Sequence, residues 1–186
     1  MKVSALGLGG CFTLSGYSSF DNRGAFVKHF SSMDFSDLDL NTDWHEYLVT
    51  KTDKLGTFRG LHIQVGTGAT HKLVTCISGA VYDVLLDLRE ESPTYLKWIS
   101  FELDSDSNQS IYIPPGIAHG FQSLKPNTLM SYLISKPFQP HLYRGIKYSD
   151  PKFNVTLPLQ ITDISKQDLD WPFFTNILAL EATHVV

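Results

Sequence analysis

Residues 71–89 read HKLVTCISGAVYDVLLDLR. Two runs of aliphatic and β-branched residues flank Ser78-Gly79, a pattern that predicts two strands joined by a hairpin. Downstream, YLKWISFEL (95–103) alternates apolar with polar residues, and DSDSN (104–108) turns the chain into QSIYIPP (109–115). TLMSYLIS (128–135) reads as another half-buried strand. Helical periodicity is confined to SSMDFSDL (31–38) and to a tail around ISKQDLD (164–170) and TNILALEAT (175–183). Many short strands separated by Gly, Pro and Asp predict an all-β protein, a sandwich or jelly roll. No repeat, low-complexity tract or linker divides the chain, so one domain over 1–186 is expected. Within it the N-terminal strands take 1–50, the jelly-roll core 51–158 and a helical tail 159–186.

Composition narrows the function classes. A chain of 186 residues with 42% hydrophobic and 12% aromatic content can bury one core. Fifteen basic against nineteen acidic residues give a net charge of −4, and no run of like charge offers a surface to nucleic acid or an anionic membrane. A small-molecule ligand is expected instead. Cys11 and Cys76 are too few for a disulfide framework or a thiolate zinc site, which points to a reducing compartment. The start, MKVSALGLGGC, superficially resembles a lipoprotein signal. Its apolar stretch is too short and too rich in Gly and Ser to serve as one. No segment approaches the ~20 apolar residues of a membrane span, so the expected location is the cytoplasm.

Two stretches carry the chemistry: FRGLHIQ (58–64), with Arg59, His62 and Gln64 around Gly60, and YIPPGIAHGF (112–121), with His119. Pro-x-Gly-x-x-His in the second resembles a cupin motif, and GLHIQ occupies the place of the other. In a small barrel both strands would point side chains into one interior. A cupin metal site asks for His-x-His and a later Glu. Here Gln64, a poor ligand, stands at the second position and no glutamate follows within ten residues. His71 could substitute, but imidazoles without a carboxylate make a poor site, so no metal is expected. A proton role for His62 gains weight, since imidazole titrates near pH ~6.5.

FDNRGAF (20–26), FRGLHIQ, HKLVTCISGAVYDVLLDLREESPTY (71–95), IYIPPGIAHGF (111–121), SYLIS (131–135), RGIKYSDP (144–151) and ISKQD (164–168) together resemble, in order, the dTDP-4-dehydrorhamnose 3,5-epimerases and their nucleotide-sugar relatives. The resemblance implies a cupin-type jelly roll, a homodimer, a nucleoside-diphosphate 4-keto sugar as substrate and no cofactor. It implies His62 as base, Asp168 orienting that histidine, Tyr132 as acid on the other face of the sugar ring, and Lys72 stabilising an enolate. Arg59 and Arg23 would contact the diphosphate, with Arg23 and Phe26 reaching into the neighbouring subunit's site. His119 and Asp83 would support the groups around the cavity, and Gln64 would line it.

The chain also departs from that family. Lys28 stands where a glutamate is usual, Tyr47, Val49 and Lys51 replace a Gln-x-Asn-x-Ser pattern, and Tyr143 replaces a glutamate before RGI. Lys28 and Tyr47 belong by resemblance to the nucleotide side. The carrier, dTDP against CDP, GDP or UDP, and inversion at carbon 3, carbon 5 or both therefore stay open at this point. So do two other readings: a cupin that binds a sugar nucleotide without turning it over, and a metal-dependent cupin oxygenase or isomerase.

Overall fold

The computed structural model describes residues 1–177 and 180, so the expected tail helix at 178–179 and 181–186 lies outside the described residues. The chain forms β1 (Lys2–Ala5), β2 (Phe12–Ser15), β3 (Ser18–Asp21), β4 (Gly24–Val27), α1 (Ser32–Asp37), β5 (Glu46–Thr52) and β6 (Thr57–Gln64). Next come β7 (Lys72–Ser78), β8 (Ala80–Asp87), β9 (Trp98–Asp104), β10 (Gln109–Ile113), β11 (Ile117–Ser123) and β12 (Thr128–Ile134). The chain finishes with β13 (Tyr143–Gly145), β14 (Asp163–Ile164) and α2 (Lys166–Asp170).

Two six-stranded sheets hold nearly all of it. One runs β1-β2-β10-β7-β12-β5, and the other β13-β6-β11-β8-β9 with β14 paired to β6. Val74, Ile111 and Met130 of the first sheet meet Val81, Leu85 and Phe121 of the second in one core. Each such side chain taken fully out of water contributes on the order of 1.5–3 kcal/mol. The second sheet is covered on its other face as well, where Leu61, Leu86 and Ala118 pack against Ile146, Phe153 and Phe174. That double coverage explains why every residue of β11 and nearly every residue of AVYDVLLD in β8 is buried. Phe35 of α1 closes the outer face of the first sheet on Leu14, Leu73 and Tyr112.

The all-β prediction holds, but the hairpin at Ser78-Gly79 does not. β7 and β8 do not pair; they lie in different sheets. Gly79, at φ +89, makes a corner between them, and a Cβ there would meet Thr128 Oγ1 at 2.4 Å. Two buried apolar runs read alike whether they pair or pass from one sheet to another. The DLREESPT part of the long motif is also structural. Fully buried Asp87 accepts hydrogen bonds from Arg89 Nε (2.9 Å), Ser92 Oγ (2.6 Å) and Thr94 Oγ1 (2.7 Å). Burial alone would raise its pKa, but these donors lower it to about 2.

One irregularity positions the site. Phe121 pairs with Arg59, and His119 with His62, so β6 spends three residues where β11 spends two. This is a β-bulge at Gly60. Arg59 and His62 would face opposite ways on a regular strand. With the extra residue, Phe58, Leu61 and Ile63 pack outward, while Arg59, His62 and Gln64 reach the cavity between the sheets. Gly60 lies at φ +140, and its Cβ would come within 2.5 Å of Gly120 Cα. Only glycine fits there.

Candidate active site

The cavity between the sheets has a volume of about 680 Å³. His62 and Arg59 enter it from β6 and His119 from β11; Lys72 of β7 and Tyr132 of β12 enter from the opposite sheet. β14 runs parallel to β6, pairing Asp163 with Thr57, and thereby carries the start of α2 beneath His62. Ser165 caps α2 by accepting a hydrogen bond from the Asp168 backbone N–H at 3.0 Å. Asp168 then points at the imidazole.

His62 Nε2 lies 2.6 Å from Asp168 Oδ1, with side-chain exposures of 22% and 5%. Burial pulls the His62 pKa below the usual imidazole value; the Asp168 hydrogen bond and charge oppose this, and the Lys72 and His119 charges add to it. Burial would raise the Asp168 carboxyl, yet His62 and the Gly60 backbone N–H hold it below the usual range. With Nε2 engaged by the carboxylate, Nδ1 is left as the basic nitrogen of His62. Lys72 is pushed down to about 8 by burial, against the charge of Asp83, and its Nζ donates to the His62 carbonyl at 3.4 Å. Burial raises the Tyr132 phenol, so it keeps its proton at neutral pH. A second pair, His119 Nε2 and Asp83 Oδ2 at 3.0 Å, is buried. Asp83 does not line the cavity itself and acts by holding His119, whose ring meets Tyr132 edge-on at 6.3 Å.

Arg59 is steadied from β5, its Nε donating to Thr52 Oγ1 and its Nη2 to the Lys51 carbonyl, both at 3.2 Å. Gln64 lines the cavity, but its amide is occupied. It donates to the carbonyls of Gly68 (3.0 Å) and Pro137 (3.3 Å) and accepts from Gln139 N–H (2.7 Å), tying two loops to β6.

Besides Asp83, four expected site residues are not brought to this cavity by their own chain. Arg23 sits at the tip of the β3–β4 hairpin, 85% exposed and paired with Asp21 at 2.6 Å, and Phe26 on the same hairpin is exposed. Lys28 pairs with Asp34 at 3.3 Å, and Tyr47 of β5 points to solvent. Val49, the other β5 departure, is also exposed. His71, considered as a substitute ligand, lies tilted against Tyr112 with ring centroids 5.6 Å apart. Among the described residues no group of three or more His, Cys, Asp or Glu side chains is placed to hold a metal ion.

Sequence reasoning missed two aromatic neighbours of the His62–Asp168 pair. Tyr143 of β13 lies 5.2 Å from the His62 ring, and Trp171 lies 6.4 Å from it. The substitution at 143 had been visible as a departure, but nothing local marks Trp171. Its position depends on how the residue following α2 packs on Gly145 and Tyr143 of β13.

An imidazole backed by a carboxylate, and a phenol and a lysine ammonium on the facing sheet, suit proton transfer at carbon next to a carbonyl. Comparisons with known proteins bear on the same point. The family model for dTDP-4-dehydrorhamnose 3,5-epimerase matches residues 5–176. The chain is 31% identical over 182 residues to the Mycobacterium tuberculosis dTDP-4-dehydrorhamnose 3,5-epimerase, covering 96% of this chain and 90% of that protein. It is 41% identical over 120 residues to the one from Sinorhizobium fredii, covering 64% of this chain and 62% of that protein. A Bacillus anthracis dTDP-4-dehydrorhamnose 3,5-epimerase, solved with TDP and PPi bound, superposes with a TM-score of 0.90 at 28% identity over 93% of this chain and 99% of that one. The resemblance in the motifs extends to the whole fold, a cupin-type jelly roll. The chain belongs to the dTDP-4-dehydrorhamnose 3,5-epimerase family.

Proposed function

We propose that the protein epimerises carbons 3 and 5 of a 4-keto-6-deoxyhexose carried on dTDP. The observation that carries this reading is the His62–Asp168 pair, 2.6 Å apart, facing Tyr132 across the cavity. The protons on both ring carbons beside the C4 carbonyl are acidic because their removal gives an enolate. His62 Nδ1 takes the proton; Asp168 holds Nε2–H and stabilises the imidazolium that forms. The Lys72 ammonium faces the oxygen on which negative charge develops, in a site where burial strengthens the attraction. Tyr132 returns a proton from the opposite face, which inverts the centre. The phenol is then reprotonated and His62 deprotonated through solvent.

Arg59 binds the diphosphate, a planar fork suited to phosphate oxygens. The family's named substrate and the TDP-bound relative support dTDP as carrier. Lys28, Tyr47 and Val49, the residues that raised other carriers, do not line the cavity of this chain and, like Arg23 and Phe26, would act only on a second copy's site. A homodimer fits the surface. β5 is an edge strand exposing Tyr47, Leu48 and Val49, and the β3–β4 hairpin exposes Phe20 and Phe26. Such an apolar edge is usually covered. A second copy would bring Arg23 and Phe26 to this cavity. The buried free thiols of Cys11 and Cys76 fit a cytoplasmic setting.

Incubation with dTDP-4-dehydro-6-deoxyglucose in deuterium oxide tests the reading. Label at carbons 3 and 5 with inverted configuration is expected. Tight binding without label would leave a sugar-nucleotide-binding cupin in its place.

A further inference from the structure

Asp168 serves a third partner besides His62 and Gly60. The same Oδ1 that meets His62 Nε2 accepts a hydrogen bond from Trp171 Nε1 at 3.1 Å. The indole is fixed by what surrounds it. β13 sets Gly145 opposite His62 in register, and a Cβ on Gly145 would stand 2.2 Å from the Trp171 ring. The ring therefore fills the space that a side chain on β13 would occupy. Tyr143 meets it edge-on at 6.0 Å, and Trp171 is 8% exposed. A rigid, dry donor aimed at one carboxylate oxygen has little freedom to do anything else.

We propose that Trp171 is a positioning residue for the His62–Asp168 pair: its indole N–H fixes the carboxylate rotamer and competes with His62 for Oδ1, keeping His62 a neutral base with its proton on Nε2. This rests on the epimerase reading for its catalytic meaning. Its physical content, a coupling between the indole and the imidazole, does not. The groups that face His62 are Asp168 of α2, Lys72 of β7, His119 of β11 and Tyr143 of β13. Asp168 is the one that favours the imidazolium, and Lys72 and His119 oppose it. Removing a donor from Asp168 leaves more negative charge for His62, so its pKa must rise.

Trp171→Phe keeps a ring in the Gly145 slot and deletes the donor. In substrate-free protein, the His62 imidazole titrated by NMR should have its midpoint raised by about one pH unit, the scale of one hydrogen bond to a charged group. The acid limb of kcat/KM should move the same way. An unchanged midpoint overturns the proposal. The wild-type protein supplies a second measurement should the variant not fold. The Trp171 indole N–H resonance should shift with the His62 midpoint, while those of Trp44 and Trp98 should not. A Trp171 resonance constant through that range also overturns it. If the midpoint moves but no 4-keto sugar nucleotide is turned over by either protein, the coupling stands and the epimerase reading falls.

Discussion

Nε2 of His62 and Oδ1 of Asp168 lie 2.6 Å apart although 106 positions separate them in the chain. The contact depends on two local devices. The bulge at Gly60 turns His62 into the cavity, and the parallel pairing of β14 with β6 delivers Asp168 beneath it. Most of the expectations below follow from how these devices place the base and the groups around it.

His62→Asn and Asp168→Asn should each slow proton exchange by ~10²–10⁴, the usual range for a lost general base or its partner. In the first the basic nitrogen is gone. In the second a neutral amide can no longer stabilise the imidazolium. Deuterium wash-in at carbons 3 and 5 measures both, and exchange at the wild-type rate in His62→Asn would remove that residue from its role.

The rate should follow a bell in pH. The His62 pKa is lowered from the usual imidazole value, so the base is free at neutrality, and on the acid side kcat/KM falls as His62 takes up a proton. Lys72, lowered to about 8, loses its charge on the alkaline side, and the rate falls through that region. Lys72→Met should cost ~10²–10³ in kcat and abolish the alkaline limb near 8. An alkaline limb that survives in Lys72→Met would assign it to another group.

Tyr132→Phe should separate abstraction from inversion. His62 remains to remove the proton, so label should still enter the sugar, while delivery from the facing sheet is lost. Product analysis by NMR should show exchange outrunning epimerisation, in contrast to the wild type. Equal loss of both would mean that the phenol acts before the enolate forms.

Much of this site was legible because the family's motifs are local in the chain: RGLH, SYLIS and SKQD mark Arg59, His62, Tyr132 and Asp168 by resemblance, and all four line the cavity. The strands were legible for the same reason, their period of two being written in consecutive residues. The Ser78-Gly79 corner was not. Whether two buried runs pair or change sheets is decided by partners far along the chain, here β10, β11 and β12. Trp171 was hidden for a related reason, since its meaning lies in the missing side chain of Gly145. Gln64, expected only to line the cavity, also ties the loops at Gly68 and Pro137, a use that its neighbours in sequence do not announce.

Gly120→Ala should destabilise the fold by about 1–3 kcal/mol, the usual cost of overpacking. The added methyl would lie 2.7 Å from the Arg59 carbonyl and 2.9 Å from Gly60 Cα, backbone atoms that can yield only by opening β6 from β11. Urea denaturation measures the loss. Activity should fall further than stability explains, because the same opening re-aims His62. A variant with wild-type stability would show that the two strands can separate freely at the bulge.

Sharing of sites between subunits has a sharper test than the oligomeric state alone. Arg23 and Phe26 lie on an exposed hairpin and do not line the cavity of their own chain, whereas His62 does. If a second copy supplies the hairpin, an Arg23→Ala/Phe26→Ala double variant and His62→Asn should each be weak alone. Mixed and allowed to exchange subunits, they should regain activity, because one of the two sites in a mixed dimer combines an intact hairpin with an intact base. If the hairpin instead serves its own subunit, each site of the mixed dimer keeps one defect and nothing is regained. Sedimentation of the mixture confirms that exchange has occurred, so that a silent mixture counts against sharing and not against assembly.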